Sequence, residues 1–379
     1  MVITSISFKV LFFLLLFSYY FLFPTNVASV NIPDSERLAF DTIFQFGDSL
    51  SDTGNLVLEN PYGAHSFASF PYGQTIHHPT GRCSDGLLII DYIASVFHLP
   101  LLSPFLDRQG NFDHGVNFAV AGSTALDTAI LRTKNIVFSP PTNSSLSFQL
   151  SWFKHHLNSM CTSRLECEKK VGKSLFVIET GGNDYNYAFL HGKTVKEVKE
   201  LMPEVVGAIK EAVNEVIRYG AIRVVVAGNL PIGCLPIYLA AFESRDRTQY
   251  DELKCLKEMN AFAKYHNDLL QQAIRELQME HPDNVAIVYG DYYSALRWIL
   301  QNAAALGFDE DNVLKACCGS SNNAYNFDLK RMCGDKEVQV CANPTRLVSW
   351  DGIHLTQRAY LRMAQRLLQQ VVPKILEVV

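Results

Sequence analysis

Five short apolar runs, each followed by a longer stretch before the next, restrict this chain more than any other feature. They are TIFQF (42–46), VNFAV (116–120), SLFVIE (174–179), IRVVVAG (222–228) and NVAIVYG (284–290). All are rich in β-branched and aromatic residues with little polar alternation, the pattern of strands covered on both faces. Residues 194–220, 250–280 and 355–379 instead carry apolar residues at helical spacing with charges on the opposite side. Gly220 is a suitable stop for the first of these helices, Thr356 a cap for the last, and Pro373 a point where the last bends or breaks. Strands alternating with helices predict an α/β fold with a parallel sheet covered on both sides. Such sheets gather their chemistry at the carboxyl ends of the strands.

Residues 1–29 stand outside this pattern. Lys9 is their only charge, followed by the apolar stretch VLFFLLLFSYYFLF and the polar PTNVAS. This is the order of a secretory signal peptide cleaved after Ser29. Fourteen apolar residues are short for a membrane span, which takes about 20. Cleavage leaves residues 30–379 with 32 Lys and Arg against 38 Asp and Glu, a net charge of −6. A mildly acidic chain without a basic cluster argues against nucleic-acid binding. No Pro/Gly/Ser-rich linker, charge block or repeat divides 30–379, so a single domain is expected.

All nine cysteines follow the leader, where an oxidising compartment favours disulfides. Cys161 and Cys167 bracket a short loop, Cys234 and Cys255 follow, and Cys317, Cys318, Cys333 and Cys341 cluster late; Cys83 is left over. The late cluster lacks the C-x₂-C pair and ordered histidines of a zinc site. Asn143-Ser144-Ser145 is an open glycosylation sequon, whereas proline blocks Asn343-Pro344-Thr345.

Four stretches bring polar groups to strand ends. After the first strand, GDSLSDTGN delivers Asp48, Ser49, Ser51 and Asp52 between glycines. Alone, that describes an ordinary cap and tight turn. After the second, GVNFAVAGS contains Gly122, which allows close backbone approach and an exposed N–H. After the third, ETGGNDYN supplies Asn183, a carboxamide donor, and Asp184, a turn former. Near the end, VSWDGIHLTQRAY sets Asp351 three residues before His354, close enough for the carboxylate to hold imidazole Nδ1 and leave Nε2 free. Together they supply a nucleophile, a base, an orienting acid and oxyanion donors.

Other schemes fit less well. No G-x-S-x-G elbow occurs anywhere. The GKS at 172–174 lacks the earlier glycine of a phosphate loop and precedes a strand instead of following one. The pairs His77-His78 and His155-His156 are adjacent, so regular structure points their rings apart; they read as surface or structural histidines, not metal ligands.

FGDSLSDTGN, GVNFAVAGS, GGND and DGIH, in that order, resemble the four blocks of the plant GDSL esterase/lipase family of SGNH hydrolases. HPTGRCSDG (78–86), ACCG (316–319) and CANP (341–344) resemble its flanking patterns, and the likeness extends over essentially all of 30–379. The resemblance implies a three-layer α/β/α sandwich around a five-stranded parallel sheet. It makes Ser49 the nucleophile, His354 the general base and Asp351 its partner, with the Ser49 N–H, Gly122 N–H and Asn183 side chain as the oxyanion hole. Two departures are visible. Ala121-Gly122 stands where the family often has two glycines, and Cys83 where an aromatic residue or Ser is common.

The expected reaction is ester hydrolysis through an acyl-enzyme, with no metal or cofactor. Acyl transfer to an acceptor alcohol is the alternative on the same site, and an inactive binding or defence protein the third. FPYGQTIHHPTGR and VSWDGIHLTQRAY look most like the branch with alkaloid acetylesterases and sinapine esterases. That makes a small specialised-metabolite ester the first substrate class and an acyl lipid the second. The expected bridges are Cys161–Cys167, Cys234–Cys255 and two joining Cys317 and Cys318 to Cys333 and Cys341, in either arrangement. The expected product is a monomer in the secretory pathway, bound for the apoplast or vacuole, with no membrane anchor after cleavage.

Overall fold

The computed structural model describes residues 40–136, 140–281, 284–320 and 323–377; the leader expected over 1–29 lies outside them. All five apolar runs contain strands: β1 (Thr42–Gly47), β2 (Gly115–Asn117), β3 (Ser174–Glu179), β4 (Arg223–Ala227) and β5 (Ala286–Gly290). They form one sheet in the order β2-β1-β3-β4-β5, with every neighbouring pair parallel. The longer helices are α1 (Ile89–Val96), α2 (Leu146–Met160), α3 (Gly182–Leu190), α4 (Met202–Arg218), α5 (Lys257–Glu280), α6 (Tyr292–Gln301) and α7 (Gln357–Leu376). Helices α2, α4 and α5 pack side by side on one face of the sheet, and α1, α6 and α7 on the other. This is the three-layer α/β/α sandwich.

Aromatic packing joins sheet to helix. Phe153 of α2 meets Phe44, Phe46, Phe118 and Phe176 edge-on, with ring centroids 5.3, 5.8, 6.1 and 5.5 Å away. Such pairs contribute about 0.5–1.5 kcal/mol each beyond their buried area.

Local chemistry moves three element boundaries from their expected places. Strand β2 stops at Asn117, three residues short. Phe118 and Val120 still donate to the carbonyls of Gln45 and Gly47, but Asn55 Nδ2 takes the carbonyls of Asn117 and Ala119. A side chain fills the place of a neighbouring strand. The helix expected over 194–220 is two, Val195–Lys199 and α4, which begins with Pro203 in its first turn, where the missing N–H costs nothing. The helix expected from Tyr250 starts only at Lys257. Asp251 Oδ1 accepts the Leu253 and Cys255 N–H groups, and Lys254 sits at φ +62°, so 250–256 is a tight loop. At the other end of the chain, Thr356 Oγ1 caps α7 by accepting the Ala359 N–H, and the helix continues through Pro373.

The disulfides are Cys161–Cys167, Cys234–Cys255, Cys317–Cys341 and Cys318–Cys333, with Cys83 free and buried. A small antiparallel ladder decides the late pairing. It joins β6 (Cys318–Gly319) to β7 (Gln339–Val340), and the Cys341 N–H donates to the Cys317 carbonyl. Cys341 is therefore beside Cys317, leaving Cys318 for Cys333.

Candidate active site

Strand β1 ends against its neighbour. A Cβ on Gly47 would lie 2.3 Å from the Glu179 carbonyl oxygen and 2.5 Å from Ser51 Oγ, so only glycine fits. Beyond it the chain turns, with the Ser51 and Asp52 N–H groups donating to the Asp48 carbonyl. Asp52 braces the turn: its carboxylate accepts the N–H groups of Gly54, Asn55, Leu56 and Ala121. The turn leaves Ser49 half-buried at the carboxyl edge of the sheet.

His354 meets Ser49 there from the loop preceding α7. His354 Nε2 is 2.8 Å from Ser49 Oγ, and Nδ1 is 2.6 Å from Asp351 Oδ2. The three-residue spacing works because the loop folds onto itself: Asp351 Oδ1 accepts the Ile353 and His354 N–H groups at 2.9 and 2.7 Å. Burial alone would raise the Asp351 carboxyl, but the His354 ring and these N–H bonds outweigh it and hold it below its ordinary value.

Residues 121–123 are tied to the same turn. Ser123 Oγ donates to the Gly47 carbonyl at 3.0 Å, and Asn183 Nδ2 donates to the Ser123 carbonyl at 2.9 Å. Gly122 has φ +83°, and a Cβ there would lie 2.3 Å from Pro141 Cγ, so this residue must also be glycine. Among the described residues neither the Ser49 nor the Gly122 N–H has a protein acceptor. Asp184 does more than cap a turn. It is fully buried and its carboxylate accepts the Ala125 and Leu126 N–H groups at 2.9 and 3.0 Å, fixing the segment that follows Gly122.

The residues named from sequence therefore meet: Ser49, His354 and Asp351 form one hydrogen-bonded chain, and Asn183 reaches the Gly122 loop. The adjacent histidines do not join them; His156 is buried against Phe44, Phe112 and Phe118 and its pKa is lowered to about 4 by burial and by His155.

Three further residues belong to the site. Tyr72 donates its hydroxyl to Asp351 Oδ2 at 2.8 Å. Gln149 bonds Gly47 and Ser123. Glu179, at the end of β3, accepts Ser51 Oγ at 2.8 Å and shares a hydrogen bond with Asp48 behind Ser49. Burial raises Glu179 to about 7, and burial together with Glu179 raises Asp48 well above its ordinary value. Glu179 carried a usable signal, an acid closing an otherwise apolar strand; Tyr72 and Gln149 carried none.

The model of the family described as GDSL-like lipase/acylhydrolase matches residues 43–367. Acetylajmalan esterases 1 and 2 of Rauvolfia serpentina are 44% and 45% identical over 340 and 339 residues. Those alignments cover 89% of this chain in both cases, and 88% and 91% of the relatives. A GDSL esterase/lipase of Arabidopsis thaliana is 42% identical over 362 residues, covering 94% of this chain and 92% of that one. The crystal structure of a phospholipase A1 from Streptomyces albidoflavus matches 88% of this chain and 99% of its own at 14% identity, with a TM-score of 0.38, too remote to guide residue assignments. On the family match and the close similarity to these plant esterases, the chain belongs to the GDSL-like lipase/acylhydrolase family and is a carboxylic ester hydrolase.

Proposed function

We propose that this protein is a serine esterase that cleaves a short acyl ester of a small plant specialised metabolite through an acyl-enzyme on Ser49. The observation that carries the mechanism is the continuous chain from Ser49 Oγ through His354 to Asp351, with spacings of 2.8 and 2.6 Å. His354 Nε2 takes the hydroxyl proton as Ser49 Oγ attacks the ester carbonyl, and Asp351 steadies the imidazolium that forms. The developing oxyanion is met by the Ser49 and Gly122 N–H groups and by Asn183 Nδ2. The alcohol leaves with the proton from Nε2. Water then attacks the acyl carbonyl as His354 takes its proton, and collapse of that intermediate breaks the bond to Ser49 Oγ, which receives the proton back as the free acid leaves. Every proton moves among side chains, substrate and water, so no metal or organic cofactor enters the scheme.

The substrate class rests on similarity. Proteins named acetylajmalan esterases share 44–45% identity with nine-tenths of this chain, which favours an acetyl ester of an alkaloid or a comparably small ester. The leader-like residues 1–29 and the paired cysteines further support a protein that enters the secretory pathway, loses residues 1–29 and reaches the apoplast or vacuole. No helix among the described residues is long and apolar enough to cross a membrane.

The test is a panel of acetyl, methyl, choline and long-chain esters offered to purified protein, with products analysed with and without an acceptor alcohol. Short esters should turn over far faster than an emulsified triglyceride, and the free acid should be the product. Comparable rates on the triglyceride move the protein to lipids; transfer of the acyl group to the acceptor makes it an acyltransferase.

A further inference from the structure

Four hydrogen bonds converge on the Asp351 carboxylate, and one comes from outside the motifs that define the site. Oδ1 takes two backbone N–H groups, while Oδ2 takes both His354 Nδ1 and the Tyr72 hydroxyl. Tyr72 lies 279 positions earlier in the chain, in the loop between β1 and β2, and is 2% exposed. Its ring packs edge-on against Phe67 and Trp350, at 4.9 and 6.0 Å, in a small cluster with Cys317, Cys318, Cys333 and Leu347. That cluster is knotted by the Cys317–Cys341 and Cys318–Cys333 bridges. The Cys317 and Cys318 N–H groups donate to the carbonyls of Ser349 and Trp350, immediately before Asp351. The phenol is thus fixed in the same rigid body as the acid it touches.

We propose that Tyr72 is a positioning residue for the esterase reaction, its O–H orienting the Asp351 carboxylate and drawing off charge that would otherwise stabilise protonated His354. The proposal rests on the Ser49–His354–Asp351 reading given above. Filling all four lone-pair directions of the carboxylate leaves it one orientation. Tyr72 shares Oδ2 with the imidazole N–H, so the two donors divide the charge of the same oxygen. Burial and the adjacent Asp351 charge raise the Tyr72 phenol well above its ordinary value, which keeps it a donor throughout the working range.

Other titratable groups face this pair. Cys83 is pushed up by burial and by Asp52, Asp351 and Asp48. Asp48, backed by Glu179, acts on His354 through space. Asp335 lies near Tyr72, and Tyr360 faces Asp351 while accepting the Leu355 N–H. None of these hydrogen-bonds Asp351, and each is neutral or acidic, so Tyr72 is the group among them that withdraws charge from the carboxylate.

The test compares wild type, Tyr72→Phe, Asp351→Asn, the double variant of these two and Ser49→Ala, all as the intact secreted enzyme. p-Nitrophenyl acetate is the substrate from pH 5 to 9, and stoichiometric organophosphate labelling reports Ser49. Tyr72→Phe should lower kcat about tenfold, the size of one charge-assisted hydrogen bond. KM should change less than about twofold, because Tyr72 touches no substrate. The acid limb of the rate profile should move up by about 0.3–1 pH unit as the carboxylate recovers its charge. Adding Tyr72→Phe to Asp351→Asn should cost nothing further. Replacing Tyr72 with 3-fluorotyrosine, a stronger donor, should move the limb the other way in a protein whose packing is preserved. An unmoved limb in both variants, or losses that multiply in the double variant, overturns the proposal while leaving the triad intact. Activity and labelling that survive in Ser49→Ala overturn the triad and the proposal together.

Discussion

Gln149 and Gly47 exchange two hydrogen bonds, the Gly47 N–H donating to Gln149 Oε1 and Gln149 Nε2 donating to the Gly47 carbonyl, both at 2.9 Å. The same Nε2 donates to Ser123 Oγ at 2.9 Å and to the Ser144 carbonyl at 3.1 Å. A helix side chain thereby finishes the pairing of β1 where the sheet ends and holds the strand to the Gly122 loop. Gln149→Ala takes this partner from the buried Gly47 N–H and from the Ser144 carbonyl, at about 1–3 kcal/mol each, while the Gly47 carbonyl keeps the Val120 N–H and Ser123 Oγ. The expected outcome is a clear fall in the denaturant midpoint together with a reduced kcat. Wild-type stability in this variant would show that another group takes over the pairing.

For catalysis, the sharpest comparison is Ser49→Ala against Ser51→Ala. The first should abolish hydrolysis and organophosphate labelling. The second removes the hydroxyl bonded to Glu179 and should leave labelling in place. Asp351→Asn should fold and lose about 10⁴ in kcat, as a serine protease does when its triad acid is neutralised. Asn183→Ala should cost about 10²–10³ in kcat with KM little changed. Combined, these losses should fall well short of their product. A reversed serine result would name Ser51 as the nucleophile.

Stability should fall as pH rises through neutrality. Burial raises Asp52 to about 6 and Asp184 and Glu179 to about 7, and it also raises Asp48 and Asp85. These groups hold protons in the fold at pH values where the unfolded chain has released them, so their stabilisation is complete below about pH 4 and lost through about 6–7. Burial lowers His156 and His266 to about 4. They act in the opposite sense between about 4 and 6.5, but are outnumbered there and silent above it. Asp351, held low, loses its contribution only in stronger acid. Thermal midpoints should drop by a few degrees between pH 5.5 and 8, and Glu179→Gln should flatten the slope. A midpoint that climbs over this range contradicts the assignment.

Covalent structure offers an independent check. Non-reducing peptide maps of secreted protein should contain Cys317–Cys341 and Cys318–Cys333 and show Cys83 alkylated only after unfolding. The mature chain should begin near Val30. Asn143 is exposed, with its Oδ1 accepting Thr128 Oγ1 and the Arg132 guanidinium, which leaves Nδ2 to carry a glycan. Intact mass before and after deglycosylation decides this, and a chain retaining residues 1–29 in a membrane fraction refutes the leader.

The five strands and the loops that follow them could be read from the order of residues, because both are local. A strand buried on two faces has to be an apolar run. A sharp turn that exposes Ser49 has to be glycine-bounded, and Asp351 can hold His354 only from a few residues away. Contacts between partners distant in the chain emerge only once the sheet and helices have packed. Tyr72 reaches Asp351 across 279 positions, Glu179 reaches Ser51 across 128, and Gln149 reaches Gly47 across 102. An acid closing an apolar strand marks Glu179, but nothing beside Tyr72 distinguishes a buried phenol on Asp351 from any other core tyrosine. The pairing of Cys317 with Cys341 likewise follows from a two-residue ladder too short to leave a pattern. A hydrogen bond depends on where two groups end up, and for these groups the sheet and its covering helices set that position.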